Sequence, residues 1–190
     1  MVLAQLISYI YLLDINGRIM KEREDQITMK GKPLTLVGDE VKVGNRAPEC
    51  EVVDRNLASV KLSSFRGKIC IISCIPSLDT SVCDMMTRKF NEEAVALGED
   101  IAVLAISMDL PFAQDRWCIA ADVKNVYILS DHRSASFGKA FGVLIKNLRL
   151  LARAVFVIDK EGTIRHIEIV NELTHEPDYE AVLKAVKELL

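Results

Sequence analysis

At 190 residues the chain has the length of one domain with a sizeable core. Its residues are 50% hydrophobic and 27% charged, an ordinary globular balance. The formal net charge of −3 argues against a nucleic-acid-binding face, which needs clustered Lys and Arg.

Residues Met1 to Asp14 are apolar but shorter than the ~20 residues of a membrane-spanning helix. They lack the basic start and small-residue cleavage site of a secretory signal. Three readings fit: a short docked helix, an interfacial segment, or an upstream extension with translation starting at Met20. The polar opening Met20-Lys-Glu-Arg favours the last. The expected organisation is an apolar extension over residues 1–19 and one domain over residues 20–190.

From there the elements follow in order. Gln26 to Val43 reads as a β-hairpin turning at Gly31-Lys-Pro33, with a second turn at Gly38 leading into Val41 and Val43. Short strand-like runs follow at Cys50–Val53 and Val60–Leu62, then a helical turn at Ser63–Gly67. The continuous apolar run Ile69–Ile75 predicts a central strand buried on both faces. Pro76–Ser81 is loop chemistry, and Asp84–Leu97 is a helix ended by Gly98. A buried strand (Ile101–Ser107), a helix (Pro111–Ala121), a strand (Val126–Leu129) and a short helix (Ser134–Phe141) come next. Arg153–Ile158 and Thr163–Val170 form a hairpin across Asp159-Lys-Glu-Gly162. Asp178–Leu190 is a terminal amphipathic helix. Alternating strands and helices followed by an antiparallel pair predict an α/β chain with a mixed central sheet flanked by helices. A thioredoxin-like fold with an N-terminal β-hairpin is the expectation.

The five cysteines are Cys50, Cys70, Cys74, Cys83 and Cys118. They include no Cys-x-x-Cys pair, which argues against a zinc ribbon or a general disulfide exchanger. They are too sparse for a secreted disulfide framework, and their odd number fits a reducing compartment. Cytoplasmic location is therefore expected. His132, His166 and His175 are scattered, without metal-ligand spacing.

One cysteine stands apart. Cys83 falls where the proline loop after a buried strand enters a helix. Unpaired N–H groups and the positive dipole end there favour an anion. A thiol so placed has a larger thiolate fraction, and the thiolate is the nucleophile. Thr80, three residues earlier, has a hydroxyl that could cap the helix or bond the sulfur and an incoming oxygen. The alternative for any cysteine is a small apolar core residue, and that reading suits Cys50, Cys70 and Cys74.

The run Pro76-Ser-Leu-Asp-Thr-Ser-Val-Cys83-Asp, with Arg88-Lys-Phe-Asn91 after it, resembles the peroxidatic-cysteine segment of bacterial thiol peroxidases, a peroxiredoxin subclass. Ser107-Met-Asp-Leu-Pro-Phe-Ala-Gln114 and Arg116-Trp-Cys118 resemble its resolving-cysteine segment. Leu151-Ala-Arg153-Ala-Val155 is similar to its active-site arginine strand, and Glu176-Pro-Asp-Tyr-Glu180 to the start of its last helix. Two positions depart from the pattern: Ser81 stands where glycine or proline is usual, and Ile119 where glycine is common.

The resemblance implies a thiol-dependent peroxidase acting on hydrogen peroxide and organic hydroperoxides. Cys83 would be the peroxidatic cysteine and Cys118 the resolving one, closing a Cys83–Cys118 disulfide within the chain. Arg153, Thr80 and Pro76 would complete the site. A thioredoxin-type dithiol would reduce the disulfide, and a homodimer is expected. Sulfur carries the electrons, so no cofactor or metal is called for, and neither nucleic acid nor membrane is an expected partner. Two rivals stay open: a peroxiredoxin resolved by Cys70, Cys74 or an external thiol, and a thioredoxin-fold binding protein with inert thiols.

Overall fold

The computed structural model describes residues 20–98 and 100–190. The apolar extension over residues 1–19 lies outside the described residues.

Among the described residues, seven strands form the main sheet. In spatial order they are β11 (Ile164–Ile169), β10 (Ala154–Ile158), β5 (Ile69–Cys74), β6 (Ile101–Ser107), β7 (Tyr127–Ser130), β3 (Glu51–Val53) and β4 (Ser59–Lys61). β5, β6 and β7 run parallel, and β10 and β11 are antiparallel additions. Every residue of β5 is buried, because helices cover both faces of a strand that reads as unbroken hydrophobic sequence. The helices are α1 (Ser81–Leu97), α2 (Pro111–Ala121), α3 (Ser136–Ala140) and α4 (Tyr179–Lys187). Two apolar clusters fill the space on either side of the sheet. One holds Cys83, Met86, Phe90, Cys118 and Val182, and the other holds Leu36, Phe137, Phe141 and Phe156.

The predicted mixed sheet with flanking helices is the one observed, and the N-terminal hairpin is present as β1 (Glu22–Met29) and β2 (Lys32–Val37). The hairpin is shorter at its far end than the alternation suggests. Val41 and Val43 lie outside any strand, and Val43 is 59% exposed. Gly38 marks the break: at φ 109° a side chain there would put its Cβ 2.2 Å from the Lys139 carbonyl oxygen. Only glycine lets the chain pass α3 so closely. The hairpin also belongs to a second sheet, β1-β2-β8-β9, where β8 is Leu144–Ile145 and β9 is Leu150–Leu151. Two-residue strands carry no readable alternation, so this pair has no sequence signal.

Asp131 shows how tightly α3 is seated. Its Oδ1 accepts from Phe137 N at 3.0 Å and its Oδ2 from Gly138 N at 2.8 Å. Burial pushes this carboxyl up to about 6, with the backbone donors pulling the other way. Between about pH 4 and 6 the native chain thus keeps a proton that the unfolded chain has released. Stability from this group is complete at the low end and lost as pH rises through about 6. The melting-temperature difference between wild type and Asp131→Asn is expected to fall across that window. A pH-independent difference would contradict it.

Candidate active site

Topology brings Pro76, Thr80, Cys83 and Arg153 to one end of the sheet. β5 ends at Cys74, and the chain continues through buried Ile75 and Pro76 into the loop that starts α1. β10 runs antiparallel to β5, with Ala154 opposite Cys74. Arg153, one residue before β10, therefore lies at the same end as Pro76. Ligand sites in such sheets lie outside the carboxyl ends of the parallel strands.

Cys83 is the third residue of α1 and its side chain is fully buried. Thr80 occupies the N-cap position with extended backbone, but its side chain does not cap. Its Oγ1 instead lies 2.8 Å from Cys83 Sγ and 3.2 Å from the Ser77 carbonyl oxygen. One hydroxyl proton serves one acceptor at a time, so the sulfur and the loop carbonyl compete for it.

Arg153 is 2% exposed. Its Nε and Nη2 donate to the Leu173 carbonyl oxygen at 3.2 and 3.1 Å, and its Nη1 lies 3.6 Å from Met86 Sδ. Met86 is one helical turn beyond Cys83, so the guanidinium rests against the first turns of α1. Among the described residues no carboxylate pairs with it. A buried cation without a fixed anion is costly unless an anion arrives or forms beside it. Tyr179, at the start of α4, feels both Arg153 and Cys83 electrostatically. Burial and its bond to Glu176 hold its hydroxyl above the ordinary tyrosine range.

All five cysteines are free thiols. Cys118 lies on α2, buried in the same apolar cluster as Cys83. Burial pushes its thiol up, while the nearby Arg55 guanidinium draws it down. Burial raises Cys70 to about 11 and Cys74 to about 12, and raises Cys50 as well. Cys74 Sγ donates to the Ala152 carbonyl oxygen at 3.1 Å, a core contact. These three thiols are poor nucleophiles near neutral pH.

Two features have little local sequence signal. Asp109, just after β6, accepts from Ser77 Oγ at 2.7 Å and from Leu78 N and Ser107 Oγ at 2.8 Å each. It pins the Pro76–Thr80 loop to the end of β6, and its place beyond a parallel strand is the one clue to that role. The second is a latch between the helices. Asp84, next to Cys83, accepts from Trp117 Nε1 at 2.9 Å, and Trp117 is next to Cys118. Arg88 pairs with the same carboxylate at 2.9 Å, lies over the Trp117 ring at 5.7 Å, and donates to the Ala121 carbonyl oxygen at 3.0 Å.

Comparison with known proteins places the chain in a family. The Redoxin family profile matches residues 42–183. A thiol peroxidase from Bacillus subtilis is 55% identical over 165 residues, covering 87% of this chain and 98% of that protein. One from Listeria innocua is 53% identical over 162 residues, covering 85% and 98%. Among solved structures, a peroxiredoxin-like protein from Aquifex aeolicus superposes with a TM-score of 0.82 at 45% identity, covering 90% of this chain and 99% of that one. A thiol peroxidase from Chromobacterium violaceum, at 21% identity, shares the fold with a TM-score of 0.77, covering 85% and 95%.

The fold and these relatives thus define a thioredoxin-like enzyme that reduces peroxides with a thiol. The chain belongs to the thiol peroxidases of the Redoxin family.

Proposed function

We propose that Cys83 is the peroxidatic cysteine, with Thr80, Arg153 and Pro76 forming its pocket, and that Cys118 resolves the oxidised sulfur. The observation that carries this reading is the buried Cys83 sulfur in the first turn of α1. It faces a hydroxyl 2.8 Å away, on a helix that also touches an arginine with no carboxylate partner among the described residues. The Cys83 thiolate attacks the terminal peroxide oxygen. The O–O bond breaks, the sulfur is oxidised to the sulfenic acid, and the leaving oxygen takes up a proton and departs as water or alcohol. Negative charge grows on that oxygen, and donors already aimed at it lower the barrier. Arg153, Thr80 and the first N–H groups of α1 are those donors. Pro76, buried at the strand end, keeps water from the sulfur.

The Cys118 thiol then attacks the sulfenic sulfur, forming the Cys83–Cys118 disulfide and releasing water. Their Cα atoms must come within ~7 Å, and each thiol sits in an ordered helix. Local unwinding of both helices accompanies the step. A thioredoxin-type dithiol reduces the bond by exchange. Exposed apolar side chains on α1 and α2, among them Met85, Phe112 and Ile119, suit a homodimer interface beside the site. The free cysteines suit a reducing cytoplasm. Among the described residues no helix is long and apolar enough to cross a membrane.

Cys118→Ser tests the resolving role. After one equivalent of peroxide, this variant is expected to hold Cys83 as sulfenic acid with no bridge inside the chain. An intramolecular disulfide to Cys70 or Cys74 would sink the assignment.

The latch bears on the same step, because unwinding must break the Asp84–Trp117 bond. A hydrogen bond to a charged group is worth about 1.5–3 kcal/mol, less where half exposed, so Asp84→Asn is expected to speed disulfide formation roughly fivefold. Trp117 is the one tryptophan in the chain, so its fluorescence reports the step directly. An unchanged fluorescence rate after peroxide would count against the latch.

A further inference from the structure

The N-terminal hairpin reaches the buried arginine through one residue. Glu172 lies between β11 and α4. Its Oε2 accepts from Thr28 Oγ1 at 2.8 Å and from Gly31 N at 3.1 Å. Its Oε1 accepts from Lys30 N at 2.9 Å, Thr174 N at 3.2 Å and Thr174 Oγ1 at 2.8 Å. These bonds hold the carboxyl well below the usual range, so it stays an acceptor throughout the working pH range.

The backbone continues the connection. Thr28 N donates to the Asn171 carbonyl oxygen at 2.7 Å, and Leu173 N donates to the Thr28 carbonyl oxygen at 2.8 Å. Residues 171–173 therefore run beside the end of β1, with Thr28 and Glu172 as a parallel bridge. Leu173 then faces both ways. Its N–H is bound by the hairpin, and its carbonyl oxygen receives Nε and Nη2 of Arg153. A planar guanidinium gripped at two nitrogens by one oxygen has its direction set by that oxygen. With no carboxylate pairing with Arg153 among the described residues, the Leu173 carbonyl, together with the Met86 thioether 3.6 Å from Nη1, sets where the third nitrogen points.

We propose that Glu172 is a positioning residue for peroxide reduction: it locks the β1–β2 turn onto residues 171–174 and so fixes the carbonyl that aims Arg153 at Cys83. The inference rests on the assignment of Cys83 and Arg153 given above. It gives the hairpin a part in the chemistry without bringing it to the sulfur.

The test compares full-length wild type, Glu172→Ala, Glu172→Gln and Thr28→Val. Stopped-flow kinetics reads Cys83 oxidation by hydrogen peroxide, and iodoacetamide labelling reads Cys83 reactivity against pH. Misplacing a catalytic group from a distance can cost up to 10²-fold, and Glu172→Ala is expected to slow oxidation by about tenfold. Its labelling at neutral pH should slow as well, as the guanidinium no longer stands beside the sulfur. Glu172→Gln, which keeps one acceptor oxygen, should fall in between. Thr28→Val, which removes one donor of five, should slow oxidation by about twofold; it serves as the readout if Glu172→Ala does not fold. In an Arg153→Lys background, Glu172→Ala should change the rate by less than about twofold, because the two residues act through one another.

A lower melting temperature with wild-type oxidation rate and labelling profile would overturn the inference and leave Glu172 a hairpin staple. Wild type left unoxidised at Cys83 would overturn the site assignment and the inference together. Wild type oxidised at Cys83, with Glu172→Ala and Thr28→Val equally fast, would overturn the inference alone.

Discussion

Cys83→Ser is expected to abolish peroxide consumption, by about 10⁴-fold or more, with the fold intact. Serine fits the buried site and can still receive the Thr80 proton, so packing in the first turn of α1 survives. What is lost is chemical. A hydroxyl ionises too weakly to attack peroxide, and oxygen cannot pass through a sulfenic-acid stage. The matching controls are Cys70→Ser and Cys74→Ser, whose thiols burial holds protonated at about 11 and about 12. Neither should change the rate by more than about twofold. Peroxide reduction that survives in Cys83→Ser but fails in Cys74→Ser would move the reactive sulfur into the strand.

Arg153→Met is expected to separate stability from activity. Arg153 is 2% exposed, and among the described residues its guanidinium bonds a carbonyl oxygen and a thioether. Replacing even a buried ion pair by apolar side chains of similar volume is often neutral or stabilising by about 1–4 kcal/mol, and a cation without a paired carboxylate likewise sheds its desolvation cost. Against this stands the Leu173 carbonyl, left without its donors at a cost of about 1–3 kcal/mol. The two nearly cancel, so the variant should melt close to wild type. Oxidation of Cys83 should slow about 10²–10³-fold, the usual cost of deleting a donor aimed at developing negative charge. A variant that unfolds while its folded fraction still reduces peroxide at the wild-type rate would make Arg153 structural.

What the sequence reveals of this site follows from distance along the chain. Pro76, Thr80 and Cys83 lie on one short segment, and strand end, proline loop and helix start are all local signals. β5 and β6 are legible for the same reason, since a strand buried on both faces must be apolar throughout. Arg153 and Cys118 need the family resemblance, because nothing local says that their strand and helix come to the Cys83 loop. Contacts of longer reach have weaker signals still. Asp84 reads as a helix N-terminal residue, yet its carboxylate bonds Trp117, 33 residues away. Leu173 acts through its backbone, and a carbonyl oxygen is the same on every residue type. Thr80 illustrates a fork that sequence leaves open, between capping the helix and bonding the sulfur. In the folded chain its hydroxyl faces the sulfur and caps nothing.

The claim under everything here is that one buried thiol at a helix start takes the oxidising equivalent and passes it to a second thiol on the neighbouring helix. Peptide mass mapping of wild type after a single equivalent of hydrogen peroxide tests it most directly. The predicted product is a peptide pair joined through Cys83 and Cys118, with Cys50, Cys70 and Cys74 still alkylated as free thiols. Recovery of Cys83 as an unmodified thiol after the peroxide has been consumed would contradict the account.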